Sequence, residues 1–409
     1  MIKTIESKVK KELELGAGVS IISLVDGIIE EAQILRASDI HIDPCEKDVK
    51  ARFRIDGVLQ DAYSIPKEIH SEIITRIKVL AGLRTDEHQT PQDGRFRIIM
   101  ETGIPLDIRV SIAPVFYGEN AVLRLLSEHA ENLTMKNLGL SSENLSKIER
   151  AIKNPYGMIL STGPTGSGKT TTLYTILKVL RTPEVSIITI EDPIEYSIEG
   201  INQIQVSTRT ELTFANGLRA IFRQDPDVIM VGEIRDRETA GLAVNTALTG
   251  HLLLSTLHTN DAATTLPRML DLGLEPYLIT ATVNIVIGQR LVRKICDTCR
   301  GKYSPSKLEI KSISEIKGVP SLLIEKTKDL SKGKGCDQCN GSGYHGRIGI
   351  YEVIEVNDAI RAAMLSRCSS VEIRKIAQEQ GMITMIEDGI RKAIDGITTI
   401  EEVLRVVHE

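Results

Sequence analysis

One octapeptide constrains this chain more than any other feature: Gly163-Pro164-Thr165-Gly166-Ser167-Gly168-Lys169-Thr170. It follows the apolar run Met158-Ile159-Leu160 and precedes a helix-like run from Thr171 to Leu180. Strand, glycine-rich loop and helix in that order are the context of a Walker A phosphate loop. Glycines let successive backbone N–H groups turn inward on a polyphosphate with no β-carbon in the way. The helix behind adds its positive N-terminal end. Lys169 is placed to reach the β- and γ-phosphates, and the Thr170 hydroxyl to ligate Mg²⁺. Thr171 completes the set of nucleotide-binding candidates. The competing reading, an ordinary glycine-rich turn, leaves the flanking strand and helix unexplained.

Composition sets the outer bounds. A chain of 409 residues suggests two or three domains, and 42% hydrophobic content is ample for their cores. A net charge of −5 with 3% aromatic residues argues against a nucleic-acid partner. No apolar run approaches the ~18 residues of a membrane span. The longest, Tyr277 to Gly288, is broken by Thr280, Thr282 and Asn284. The start, Met1-Ile2-Lys3-Thr4-Ile5-Glu6, carries no signal-peptide core. These features predict a cytoplasmic protein without a transmembrane segment, whose membrane association runs through a partner.

Residues 1–19 read as a charged arm and 20–36 as an amphipathic helix. Short alternating strands follow at 39–43, 49–55 and 57–61, with Asp56-Gly57 as a hairpin signal. A helix over 66–82 and strands over 95–101, 106–112 and 121–126 complete a small α+β domain, residues 20–127. Residues 128–140 read as a linker. From Ser141 the pattern becomes α/β: a helix over 142–152, the Walker strand, then buried strands over 185–190, 228–231 and 252–256 separated by helices. That alternation predicts a mostly parallel sheet with crossover helices over 141–409. A cysteine segment, 295–347, and a helical set, 357–407, end the chain.

Several groups carry chemistry beyond the loop. The apolar strand Val228 to Val231 ends in Gly232-Glu233, as in phosphate-loop enzymes where such a strand lies beside the Walker A strand and its acid meets Mg²⁺ or the attacking water. Glu191-Asp192-Pro193-Ile194-Glu195 follows another strand, where a carboxylate could orient the lytic water; a solvated acidic turn is the plain alternative. His251 and His258 flank a third buried strand, and the run from Ser255 to Asn260 has the polarity that a γ-phosphate sensor needs. Cys296, Cys299, Cys336 and Cys339 form two Cys-x-x-Cys pairs, which point to a closed structural zinc site. Cys45 and Cys368 read as lone thiols. Arg95, Arg97, Arg109 and Arg124 lie on strands of the first domain. Such arginines usually mark a solvated face, yet an arginine finger from another domain or subunit would supply the positive charge that γ-phosphate transfer needs.

Taken together, these motifs resemble the secretion ATPases of type II secretion and type IV pilus assembly. The match runs from about Ile21 to Val407 and includes Ala37-Ser38-Asp39-Ile40-His41-Ile42, Pro91-Gln92-Asp93-Gly94-Arg95, the Walker loop, Glu191 to Glu195, Gly232 to Asp236, Thr249-Gly250-His251, Ser255 to Asp261 and Gln289 to Arg293. The resemblance implies an RecA-like ATPase domain behind a small α+β domain, with an inserted four-cysteine zinc module. It implies ATP, Mg²⁺ and structural Zn²⁺ as cofactors. It implies an acidic box at Glu191 to Glu195, a Walker B acid at Glu233, and a histidine box at His251 and His258. Glu233 and Glu195 both remain candidates for the base. Trans-acting arginines are implied, for which Arg109 and Arg124 are the closest matches. The expected assembly is a homo-hexamer at the inner face of the cytoplasmic membrane, driving a membrane platform protein. The zinc module points to the assembly and secretion branch. With about 20 residues before the first domain, the chain reads as a short form.

Overall fold

A computed structural model describes residues 8–100, 103, 105–126, 133–306, 323 and 329–408. Residues 1–7 of the expected arm, 101–102 and 104, 127–132 around the expected linker, and 307–322 and 324–328 of the cysteine segment lie outside the described residues. The chain divides into two compact units, Met1–His129 and Ala130–Glu409.

In the first unit a short helix α1 (Lys8–Glu14) precedes α2 (Ile21–Ile34), whose first turn is capped by Ser20 accepting the Ser23 N–H. Leu24, Val25, Ile28, Ile29 and Ala32 give α2 one buried face, as the spacing predicts. Among the described residues six strands follow: β1 (Ala37–Pro44), β2 (Asp48–Ile55), β3 (Val58–Pro66), β4 (Gln92–Ile99), β5 (Pro105–Val115) and β6 (Gly118–Leu126). They form an antiparallel sheet in the order β3-β2-β1-β6-β5-β4. Asp56 and Gly57, both at positive φ, make the β2–β3 turn. The helix expected over 66–82 begins instead with a 3₁₀ turn, Lys67–Ile69, because Pro66 is extended; α3 (His70–Ala81) follows and ends at left-handed Gly82. One face of the sheet buries Ile40, Ile42, Phe53, Ile108 and Val110 with residues of α2 and α3. Strand alternation sends their neighbours to the other face.

The second unit carries a seven-stranded sheet among the described residues. After α4 (Ser142–Ile152) come β7 (Gly157–Thr162), α5 (Lys169–Leu180), β8 (Ile187–Glu191), β9 (Asn202–Gln205) and α6 (Phe214–Ile221). Next are β10 (Val228–Val231), α7 (Arg237–Leu248), β11 (Leu252–Leu257), α8 (Ala262–Asp271), α9 (Pro276–Thr282) and β12 (Val283–Ile295). The pairs β12–β7, β7–β11, β11–β10, β10–β8 and β8–β9 are parallel. β15 (Tyr344–Glu355) returns antiparallel to β12, so the strand order is β15-β12-β7-β11-β10-β8-β9. The parallel strands are buried on both faces: Met158 and Leu160 join one core with Leu253 and Val231, and the intervening Ile159 joins the other with Leu173 and Leu254. A ribbon of β13 (Arg300–Tyr303) and β14 (Leu330–Gly333) carries the cysteine knuckles. Helices α10 (Asp358–Leu365), α11 (Ser370–Glu379), α12 (Met385–Ile394) and α13 (Ile400–His408) form the expected helical set. No helix among the described residues is long and apolar enough to cross a membrane.

Candidate active site

The phosphate loop leaves the end of β7, whose six residues are all buried. Gly163, Gly166 and Gly168 take φ of 146°, 79° and 88°, a region closed to most side chains. A β-carbon at Gly163 would lie 2.4 Å from the Gln289 carbonyl oxygen. Pro164, Thr165 and Gly166 form an exposed crown, while Ser167 and Lys169 are buried beneath it. Thr170 and Thr171 follow in the first turn of α5, half-buried. The Lys169 ammonium donates to the carbonyls of Gly163 at 2.8 Å and Pro164 at 3.0 Å. Burial pushes its pKa down, and the charge of Glu233 opposes that. The loop fits a polyphosphate: its glycines pack without β-carbons, its lysine sits within it, and the buried Ser167 hydroxyl has no partner among the described residues.

Glu233 follows β10 and is 8% exposed. Its carboxylate meets His258 Nε2 at 2.9 Å and the Arg235 guanidinium at 2.6 Å. The expectation that this acid's strand lies directly beside the phosphate strand is corrected: β11 inserts between β7 and β10. The inserted strand is the one that leads into His258, so its register brings the histidine to the carboxylate. The hydroxyl of Thr162, the last residue of β7, donates to the Thr259 carbonyl at 2.8 Å and accepts the Thr259 N–H at 3.1 Å, tying the phosphate strand to the His258 segment. Gly232 donates to the Ile190 carbonyl at 2.8 Å, and the Thr256 hydroxyl donates to the Gly232 carbonyl at 2.7 Å, which fixes the backbone bearing Glu233. Two nearby acids are helix caps: Asp236 accepts the Thr239 N–H and Asp261 the Thr264 N–H, each at 2.8 Å.

The other site candidates are distributed differently. Glu191 is 2% exposed and points inward from β8. It accepts from the Tyr174 hydroxyl, from Thr189 and from Gln203, and burial raises its pKa despite these bonds. Glu195 sits half-buried in the segment after β8, its amide donating to the Tyr174 oxygen at 3.4 Å. His251 precedes β11, whereas His258 follows it. Six strand residues, about 20 Å, separate the two, and β11 is parallel to β7, so within one chain His251 lies at the opposite end of the strands from the phosphate loop. Its Nδ1 faces the Thr246 carbonyl and Thr249 hydroxyl at 3.2 Å. In the first unit, Arg95, Arg109, Arg124, Asp39 and Arg54 occupy one cross-strand row. Asp39, 6% exposed, pairs with Arg124 at 3.1 Å and Arg54 at 3.5 Å.

The cysteine pairs converge. The sulfurs of Cys296, Cys299, Cys336 and Cys339 all lie within 4.8 Å of one another. Three of the separations are 3.8, 3.8 and 3.7 Å, from Cys296 to Cys336, Cys299 to Cys339 and Cys336 to Cys339. A tetrahedron with Zn–S bonds of about 2.3 Å has edges of about 3.8 Å. The Cys339 sulfur also accepts the N–H groups of Cys336 at 3.2 Å and Gly343 at 3.3 Å, which favours the thiolate. The donor set therefore fits a structural zinc ion.

Geometry also adds a residue that motif reading left without a role. Gln289 on β12 is 1% exposed and hydrogen-bonds both Ser161 and the Ser167 carbonyl. Its sequence signal is its place at the head of the run Gln289 to Arg293, which carries part of the family resemblance without a role attached.

Comparison with known proteins agrees with this architecture. The profile of the family described as "Type II/IV secretion system protein" matches residues 15–405. The "Type IV pilus assembly ATPase PilB" of Thermus thermophilus is 45% identical over 402 residues, 98% of this chain and 44% of the relative. The "Type II secretion system protein E" of Xanthomonas campestris is 45% identical over 97% of this chain and 69% of the relative. The chain thus spans less than half of the first relative's length and about two thirds of the second's. Among solved structures, the pilus retraction motor PilT with bound ADP is 28% identical, with a TM-score of 0.62 over 93% of this chain and 96% of that one. The Legionella pneumophila ATPase DotB shares the fold, with a TM-score of 0.66 at 23% identity over 94% of this chain and 95% of that one. By sequence and fold alike, the chain belongs to the type II/IV secretion system protein family, whose relatives here are named as ATPases of pilus assembly and components of type II secretion.

Proposed function

We propose that this chain is the Mg²⁺-dependent ATP-hydrolysing motor of a pilus-assembly or type II secretion machine. The observation that carries the reading is the Glu233–His258 pair, set at the strand ends next to a complete phosphate loop. Lys169 and the loop amides bind the phosphates, and the Thr170 hydroxyl holds Mg²⁺. Mg²⁺ held there would supply positive charge against the charge that develops on the transferred phosphate. Glu233 orients the attacking water and accepts its proton. His258, bonded to that carboxylate, reports the γ-phosphate to the segment 258–261 and so to α8. Glu191, enclosed by Tyr174, Thr189 and Gln203, supports the β8 end, which leaves Glu195 as the second acid of that cluster. Arg109 and Arg124 complete the site of a neighbouring subunit in a homo-hexamer. The motor acts on a membrane platform protein from the cytoplasmic side.

The test is phosphate release by the purified chain with Mg²⁺ and ATP. Turnover should rise with protein concentration as oligomers form, and Lys169→Ala should abolish it. Hydrolysis that survives Lys169→Ala removes the assignment.

A further inference from the structure

We infer that Gln289 is a positioning residue of the phosphate loop: its carboxamide bridges the strand that enters the loop and the carbonyl before Gly168, and thereby aims a loop amide at the nucleotide. The inference rests on the nucleotide-binding reading above.

The geometry is specific to an amide side chain. The Ser161 hydroxyl on β7 donates to Gln289 Oε1 at 3.2 Å, and Gln289 Nε2 donates to the Ser167 carbonyl at 2.8 Å. Ser161 is fully buried and Gln289 is 1% exposed, so water does not compete for these bonds. A planar trans peptide points its C=O and the next N–H in opposite directions. Drawing the Ser167 carbonyl toward β12 therefore turns the Gly168 N–H away from it, as an inward-facing amide requires.

Gln289 is itself firmly placed. It lies opposite Tyr351 in the β12–β15 ladder, and the preceding Gly288 lies opposite Thr162 of β7. The two glycines that flank the loop make room for it. A β-carbon at Gly163 would lie 2.4 Å from the Gln289 carbonyl oxygen, and one at Gly168 would lie 3.2 Å from Gln289 Nε2. Both ends of the loop are thus pressed onto one residue of a neighbouring strand. Glutamate would present two acceptors to the Ser167 carbonyl, and methionine would supply neither donor nor strong acceptor.

Equilibrium dialysis of ATP with Mg²⁺, steady-state kinetics and melting without nucleotide test this on the full chain. Gln289→Met conserves volume. It should raise Kd and KM for ATP about tenfold and leave kcat within about twofold, the pattern of lost uniform binding. Gln289→Glu should bind more weakly still. Ser161→Ala, a smaller change on another strand, should shift KM in the same direction by less. A folded Gln289→Met chain with wild-type affinity, or one that loses kcat at unchanged KM, overturns the inference. If Gln289→Met does not fold, an unchanged KM in Ser161→Ala overturns it equally. ATP binding that persists in Lys169→Ala would instead sink the underlying nucleotide reading, so the two failures are distinguishable.

Discussion

At the scale of single residues, the loop works because certain side chains are missing. Gly163 combines a φ of 146° with a strand backbone 2.4 Å from where its β-carbon would stand. Gly163→Ala must therefore move β12 or the loop, at a cost on the order of 1–3 kcal/mol. It should also weaken ATP binding, read as a lower melting temperature and a raised Kd in the same protein. A variant that melts and binds like the parent would show that the loop is looser than described. Glu233 and Glu191 make the complementary point. Both are acids at the ends of adjacent parallel strands, and their sequence contexts are alike. Glu191 is the last strand residue and is taken up by Tyr174, Thr189 and Gln203, while Glu233 lies two residues past the end of β10 and meets His258 and Arg235. Sequence spacing places an acid at a strand end; only neighbouring strands decide what it faces.

At the scale of elements, legibility followed periodicity and punctuation. The helix expected over 142–152 is present over Ser142–Ile152, where the Ser141 side chain accepts the Asn144 N–H as its cap. The Asp56-Gly57 hairpin and strand 228–231 were readable for similar local reasons. β12 was not. Its first half, Val283 to Gly288, lacks alternation because it is buried between β7 and β15, and a short, largely apolar run does not distinguish strand from helix. With β12 unread, the role of Gln289 was out of reach, as was the link from the loop to Cys296, the residue that follows this strand. The interposition of β11 between β7 and β10 is likewise a property of strand order, which no local pattern encodes. The cysteine module was legible as ligands but not as packing. Leu330 of its ribbon clusters with Ala393 and Ile400, and Arg300 donates to the Gly396 carbonyl at 3.3 Å. Metal analysis should find about one zinc per chain. Cys296→Ser or chelation should then lower the melting temperature and loosen α12 and α13 in hydrogen exchange, since zinc binding stabilises local folding by on the order of 10 kcal/mol. Unchanged exchange there after complete zinc removal would contradict the structural role.

At the scale of the whole molecule, the two units carry different candidate groups. The second carries the loop, Glu233 and His258; the first carries a cross-strand row of arginines steadied by buried Asp39. If Arg109 and Arg124 serve a neighbour, two inactive chains should rescue each other. Lys169→Ala mixed with Arg109→Ala/Arg124→Ala before assembly should regain turnover that neither has alone, because some interfaces then pair an intact loop with intact arginines. Mixtures no more active than the sum of their parts would place the arginines outside the site. The central claim, hydrolysis at the loop driven by Glu233, has a more direct measurement. Glu233→Gln keeps the loop and removes the base, so the isolated complex with Mg²⁺ should retain intact ATP, with turnover reduced about 10²–10⁴-fold. Recovery of ADP from that variant at the parental rate would contradict the account.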